Sequence, residues 1–268
     1  MTHYRRDPPR HFAPIRSCSL PKMLVSGCSF THNFHHKHLV KWPYYLRDLI
    51  DIKHVYDVSL PGSGCQHIFN SIVNEIERNP EINASDTMVM VMWSGLSRTD
   101  IIAETPVVER WVHTTLPKDR DADHSTDGVY RFDQKFSTFS MQYQDGWKKG
   151  NDPVTRMQHS YRLVIGWDAQ VLQSLLNIVA LAGYLESKGF AWMFMSWKDP
   201  QPDLDIVPGE LSQRVGRLMQ TVLPLGDYAL EQQELDNTLH PTPAANLAWT
   251  EKHLIPTLDK LGLTHALG

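Results

Sequence analysis

Residues 22–31 read Lys22-Met23-Leu24-Val25-Ser26-Gly27-Cys28-Ser29-Phe30-Thr31. An apolar run, Met23 to Val25, stops abruptly in small residues and a hydroxyl, and a more helix-like segment follows. This is the pattern of a buried parallel strand that delivers a side chain at its carboxyl end, where open α/β sheets place their ligands. Gly27, between the small Ser26 and Cys28, allows a tight turn with the Ser29 hydroxyl at its tip. A serine so placed is a nucleophile if a histidine can take its proton. It is equally an ordinary helix cap, and the stretch alone fits both.

Three further segments repeat the strand-then-polar-loop rhythm. His54-Val55-Tyr56-Asp57-Val58 leads into Ser59-Leu60-Pro61-Gly62-Ser63-Gly64, where two glycines beside a helix start expose backbone N–H groups suited to an oxyanion or phosphate. The same glycines also suit a tight loop that merely needs positive φ. Met88-Val89-Met90-Val91-Met92-Trp93 is continuously apolar, as in a strand buried on both faces, and runs into Ser94-Gly95-Leu96-Ser97-Arg98-Thr99-Asp100. Arg98 there suits an anionic group of a substrate, or an ion pair with Asp100 or another acid. Phe190 to Met195 is the fourth strand. Between the strands lie helical patterns: one opened by Trp42-Pro43, one carrying Ile68, Ile72, Val73 and Ile76, and a long one over Val171 to Leu185 stopped by Lys188-Gly189. A less regular helix over Leu211 to Val222 and an amphipathic one over Ala244 to Leu261 complete the chain. The alternation predicts an α/β fold around a mostly parallel sheet.

Residues 104 to about 160 break this rhythm. The segment mixes charges with Trp111, Tyr130, Phe132, Phe136, Phe139, Tyr143 and Trp147 and reads as an insertion, a lid or a partner-binding lobe over the carboxyl edge of the sheet. Asp119 to Asp123 resembles the start of a calcium loop, but His124 stands where glycine is needed and Tyr130 where glutamate is, which makes it a solvated acidic loop. The run His32-Asn33-Phe34-His35-His36-Lys37-His38 lacks a carboxylate or cysteine at a ligand spacing, so it reads as a rim or substrate-contacting loop, with His32 nearest Ser29. The first 22 residues are basic and proline-rich without an apolar core, which suits a surface arm or a partner-docking arm and not a secretory signal.

Over 268 residues the formal net charge is −4, which leaves no electrostatic footprint for nucleic acid or an anionic membrane, and no apolar run approaches the roughly 18 residues that span a bilayer. The expected setting is therefore cytoplasmic or virion-associated. Three cysteines, Cys18, Cys28 and Cys65, make no disulfide framework, and whether Cys28 and Cys65 bridge stays open.

In order along the chain, Ser29, the Gly62/Gly64 loop, the loop after the third strand and Asp236-Asn237-Thr238-Leu239-His240-Pro241-Thr242 resemble the blocks of the SGNH (GDSL-like) hydrolases. The resemblance covers about residues 22–103 and 160–262. It implies a three-layer α/β/α sandwich of flavodoxin-like type, with an arm at 1–21, the main domain at 22–262, the insertion at about 104–160 and a tail at 263–268. It also implies an esterase or deacylase, with a small-molecule or carbohydrate ester as substrate and no metal or organic cofactor. Ser29 would attack the ester carbonyl, His240 would act as general base, and Asp236 would be the acid behind it. The amides of Ser29 and of Gly64, favoured over Gly62, would hold the oxyanion. Two departures stand out. The asparagine of the third block is replaced in Gly95-Leu96-Ser97, so Ser97 or Arg98 would be the donor. The acid of the last block normally lies three residues before histidine; here that position is Asn237, and Asp236 lies four before. Asp236 can orient His240 only if the loop carries one extra residue; otherwise Asn237 does so, or the site is a dyad. These departures, with the arm and the aromatic insertion, also suit a catalytically weak binding or structural module in a larger assembly such as a virus particle. An acyltransferase on the same scaffold is a third reading.

Overall fold

The computed structural model describes residues 12, 14, 16–32, 40–104, 129–131, 136–141, 164–219, 222–237 and 239–266; of these, 17, 99, 101–104, 129–131, 136–141 and 266 are described by backbone alone. Four strands, β2 (Lys22–Gly27), β3 (His54–Asp57), β4 (Thr87–Trp93) and β8 (Ala191–Ser196), form one parallel sheet in the order β3-β2-β4-β8. The registers set Lys22 opposite His54 and Thr87, and Met88 opposite Ala191, so the strands end together at Gly27, Asp57, Trp93 and Ser196. The loops after β2, β3 and β4 therefore meet along one edge. That convergence places the candidate site.

The alternating side chains of the central strands feed two separate cores. Met23, Val25, Met88, Met90, Met92, Met193 and Met195 share one core with Trp42, Leu46 and Ile50 of the segment around α1 (Trp42–Leu49) and with Trp249, Leu254 and Leu258 near the carboxyl end. Leu24, Val89, Val91, Trp93 and Phe194 share the other with Ile68 and Ile72 of α2 (Cys65–Arg78), Leu175 and Ile178 of α3 (Trp167–Lys188), and Val215 of α5 (Glu210–Met219). A sheet buried on both faces needs apolar residues at successive positions, which is why β4 reads as a continuous run. The chain is thus α/β with a central parallel sheet flanked by helices, an arrangement compatible with a three-layer sandwich.

Local signals place most helix ends. Pro43 lies in the first turn of α1, where its missing N–H costs nothing. Asn79 closes α2, and Gly189, at φ 76°, closes α3 in the left-handed conformation that glycine adopts without a Cβ penalty. Helix α1 is buried on every side rather than along one stripe. Its Arg47 therefore carries its own counter-ion, the carboxylate of Asp48 at 2.6 Å.

Three expectations change in detail. The single helix expected over Ala244 to Leu261 is α7 (Pro243–Trp249), one π-helical turn over Thr250–Leu254, and α8 (Ile255–Lys260). Pro256 explains the interruption, since it has no N–H for the regular ladder and its ring crowds the preceding turn. The helix expected over Leu211 to Val222 is α5, ending at Met219. Two short helices, α4 (Gln201–Leu204) and α6 (Leu225–Glu231), flank α5. Where a loop was expected after β4, the chain continues into β5 (Thr99–Glu104). With β7 (Phe136–Met141) and β6 (Val129–Arg131), β5 forms an antiparallel sheet in the order β5-β7-β6. The rest of the expected lid, and the histidines at 35, 36 and 38, lie outside the described residues. Near the ends, β1 (Arg16–Cys18) pairs antiparallel with β9 (Thr264–Ala266). Among the described residues, no helix is long and apolar enough to cross a membrane.

Candidate functional site

Strand β2 ends at Gly27 for a steric reason. A Cβ there would lie 2.8 Å from the Met92 carbonyl oxygen and would strike the Thr31 hydroxyl. The chain then folds tightly, with the Thr31 and His32 N–H groups both donating to the Cys28 carbonyl at 2.9 Å. This turn carries Ser29 beyond the end of the sheet. From 211 residues away, His240 Nε2 lies 2.7 Å from Ser29 Oγ. The Ser29–His240 pair expected from the order of the motifs is therefore brought within hydrogen-bonding reach, as a nucleophile and its base require.

The loop that delivers His240 has the extra residue. Leu235 bridges Pro241 antiparallel, the Asp236 N–H donates to the His240 carbonyl at 2.8 Å, and the Leu239 N–H donates to the Asp236 carbonyl at 3.0 Å. Leu239 sits at φ 62°, in the left-handed region that favours glycine. Asp236 Oδ1 accepts the His240 backbone N–H at 3.1 Å, so the carboxylate holds the backbone of His240 across the longer spacing. Asn237 is exposed. Beyond His240, the Thr242 hydroxyl accepts the Ala245 N–H at 3.2 Å and donates to Glu234 at 2.7 Å, capping α7. Asn246 donates to the Pro241 carbonyl at 3.1 Å and accepts the Trp42 N–H at 3.1 Å, which ties the histidine loop to α1.

Aromatic rings fix the imidazole from the side. The Phe30 ring lies 5.2 Å from that of His240 and 4.6 Å from that of Trp197, centroid to centroid. Gly226 makes room for this stack: its N–H donates to the Trp197 carbonyl, and a Cβ would lie 2.6 Å from the same oxygen and 3.3 Å from the Phe30 ring.

The loop after β3 is bound to the serine turn. The Gly27 carbonyl accepts both the Leu60 N–H, at 3.0 Å, and the Ser63 hydroxyl, at 2.8 Å. His32 is buried, its Nδ1 2.8 Å from the Ser59 carbonyl oxygen, so it joins the two loops. The two glycines of this loop differ in what they offer. Gly62, at φ 80°, is half-buried, and among the described residues its N–H meets no acceptor; nor does that of Ser29. Gly64 is buried, and its N–H donates to Asp100 Oδ1 at 2.9 Å. The second oxygen of Asp100 accepts the His67 N–H at 2.7 Å, so the carboxylate caps α2. The amide favoured for the oxyanion is thus engaged by a carboxylate, whereas the one set second is open.

The loop after β4 is equally anchored. The Leu96 N–H donates to Asp203 Oδ2 at 3.1 Å, and Ser174 donates to the Leu96 carbonyl at 2.6 Å. Ser97 and Arg98 are half-buried, and Arg98 Nη1 contacts the Ser63 carbonyl oxygen at 3.5 Å. Cys28 and Cys65 are both buried and free. Burial pushes the Cys65 thiol up to about 12, which removes it as a nucleophile near neutrality.

Three side chains near these loops were not singled out in the sequence. Asp100 was considered there only as an ion partner of Arg98. Trp197 follows β8 without any motif. Lys41, only 2% exposed at the start of α1, is pushed below the ordinary lysine range by burial, against the opposing pull of Asp236 and Cys28. A lysine immediately before Trp-Pro at a helix start gave no sign of burial, because Asp236, which acts on it, lies 195 positions later in the chain. Among the described residues, no group of three or more His, Cys, Asp and Glu side chains is placed to hold a metal ion.

No family model matches the chain, and no curated protein does. The reading of the site rests on its geometry and on the order of its motifs.

Proposed function

We propose that the protein is a serine hydrolase that cleaves an O-acyl ester, with an acylated carbohydrate or other small molecule as substrate. The observation that carries this reading is the 2.7 Å approach of His240 Nε2 to Ser29 Oγ at the carboxyl edge of a parallel sheet. His240 takes the Ser29 proton as Ser29 Oγ attacks the ester carbonyl. The tetrahedral oxyanion is held by the Ser29 and Gly62 N–H groups, with Arg98 or Ser97 in place of the missing asparagine. Collapse expels the alcohol, which leaves with the proton from His240, and an acyl-Ser29 ester remains. Water, deprotonated by His240, then releases the acid and restores the serine. Asp236 holds the His240 backbone throughout and offsets the charge of the imidazolium. The three-layer sandwich and the SGNH-type assignment belong to this same reading. The test is a panel of p-nitrophenyl esters and acetylated sugars, with Ser29→Ala as control. Turnover that survives in Ser29→Ala, or turnover of no ester by the wild type, rejects it.

One observation favours a second reading, a binding module with weakened catalysis: the Gly64 N–H carries the Asp100 carboxylate instead of an open site. A fluorophosphonate that phosphonylates activated serines separates the two. Stoichiometric modification of Ser29 supports the hydrolase, and an inert Ser29 supports the module.

A further inference from the structure

The peptide group between Ser63 and Gly64 is held at both ends by one short segment. Its carbonyl oxygen takes the Arg98 guanidinium at 3.5 Å, and its N–H donates to the Asp100 carboxylate at 2.9 Å. The two residues are two positions apart in sequence, at the junction where the loop after β4 becomes β5. The second carboxylate oxygen continues to the His67 N–H at 2.7 Å, so the turn and the first turn of α2 are fixed together.

The identity of residue 64 points to the same contact. Its backbone is extended, φ −93° and ψ −178°, a conformation open to any residue. Glycine is needed there for space, because a Cβ would lie 2.7 and 2.8 Å from the two Asp100 oxygens. Gly62, two residues earlier, needs its glycine for backbone conformation, at φ 80°. The Pro61-Gly62-Ser63-Gly64 stretch therefore contains one glycine that turns the chain and another that admits a carboxylate.

Resting on the hydrolase reading above, we propose that Asp100 is a positioning residue of the site: by fixing the Ser63–Gly64 peptide it orients the Gly62 N–H toward the oxyanion and holds Arg98 beside it. The carboxylate removes Gly64 from oxyanion binding, and the guanidinium on the same peptide offsets its negative charge where negative charge develops in the reaction. Because Asp100 is the second residue of β5, its carboxylate ties the start of the antiparallel sheet β5-β7-β6 to the oxyanion loop.

The experiment is a double-mutant cycle on the full chain, with Arg98→Ala, Asp100→Asn and their combination. The substrate is p-nitrophenyl acetate, with rates referred to the amount of Ser29 titrated by a fluorophosphonate so that unfolded protein does not count. Asp100→Asn keeps the shape and removes the charge and one acceptor; it lowers kcat at least about tenfold with KM within about twofold, the signature of an interaction realised in the transition state. In the Arg98→Ala background the same substitution lowers kcat by no more than about twofold, since the two residues act through one peptide. Gly64→Ala, which leaves every charge in place and pushes the carboxylate away, gives the kcat loss of Asp100→Asn. A kcat within twofold of wild type in Asp100→Asn, or losses in the cycle that simply multiply, overturns the proposal while the Ser29-dependent activity of the wild type leaves the hydrolase reading standing. A wild type with no Ser29-dependent turnover overturns both.

Discussion

At the scale of single residues, the hydrolase proposed above has Ser29 and His240 act as a unit, so that their removal is not additive. Ser29→Ala and His240→Ala are each expected to lower kcat by at least about a thousandfold, and the double variant no further, in assays of p-nitrophenyl ester hydrolysis. Leu239 supplies a different test. It adopts φ 62° with its side chain 72% exposed, so it loses little packing when shortened. A non-glycine residue in this conformation costs about 1–2 kcal/mol, part of which glycine returns through the greater freedom of its unfolded chain. Leu239→Gly should therefore be neutral or stabilising by up to about 1 kcal/mol in urea unfolding, whereas the β-branched Leu239→Val should destabilise by about 1 kcal/mol or more. An equal effect of the two would refute the strain argument. The same residue explains a limit of the sequence. The four-residue spacing from Asp236 to His240 left the role of the acid open, because the extra residue is absorbed by a leucine where glycine would have announced the turn. Likewise Gly64 looked the better oxyanion donor until Asp100, 36 positions away, was seen on its N–H.

Among the elements, β2 and its turn depend on close approach. In Gly27→Ala the new methyl meets the Met92 carbonyl and the Thr31 hydroxyl, neither at the far end of a flexible chain. Overpacking of this kind costs about 1–3 kcal/mol. The expected result is a lowered urea midpoint and, on the proposed hydrolase reading, a slower rate of Ser29 phosphonylation, since the displaced turn carries Ser29; a variant with wild-type stability would show that the strand end yields freely. The elements differed in how plainly the chain announced them. β2, β4 and β8 were readable because strands buried on both faces are continuously apolar and stop in Gly, Ser or Pro-containing loops. The C-terminal helix was readable as a helix but not as three pieces, since its apolar spacing runs through the π-turn without a change. β6 and β7 were hidden because their aromatics, Tyr130, Phe136 and Phe139, lie in a polar segment and gave neither a clean alternation nor a continuous run. The strand that bears Asp100 was hidden because only Ile101, Ile102 and Ala103 are apolar between its polar ends, too short a run to stand out.

For the molecule as a whole, acid sensitivity follows from His67, which burial lowers to about 3 from its ordinary 6.5. Below pH 6.5 the unfolded chain takes up this proton and the folded chain does not, so the contribution is fully present above 6.5 and is lost as pH falls toward about 3. The loss approaches about 1.4 kcal/mol per pH unit within that window. In urea unfolding at pH 7, 5.5 and 4.5, the stability of wild type relative to His67→Gln should fall steadily; parallel pH profiles would count against a buried neutral imidazole. The two cores on either side of the sheet also have unlike chemistry. Met23, Met88, Met90, Met92, Met193 and Met195 lie on one side, against Met219 alone among the described buried methionines on the other. Along β4, Met88, Met90 and Met92 stand at alternate positions over about 13 Å, and Met92 is opposite Gly27, two residues before Ser29. The sheet thus carries a graded row of thioether methyls, a built-in spectroscopic ruler. With isotope-labelled methionine methyls, chemistry at Ser29 becomes readable from inside the protein, the resonance of Met92 moving first and that of Met88 least.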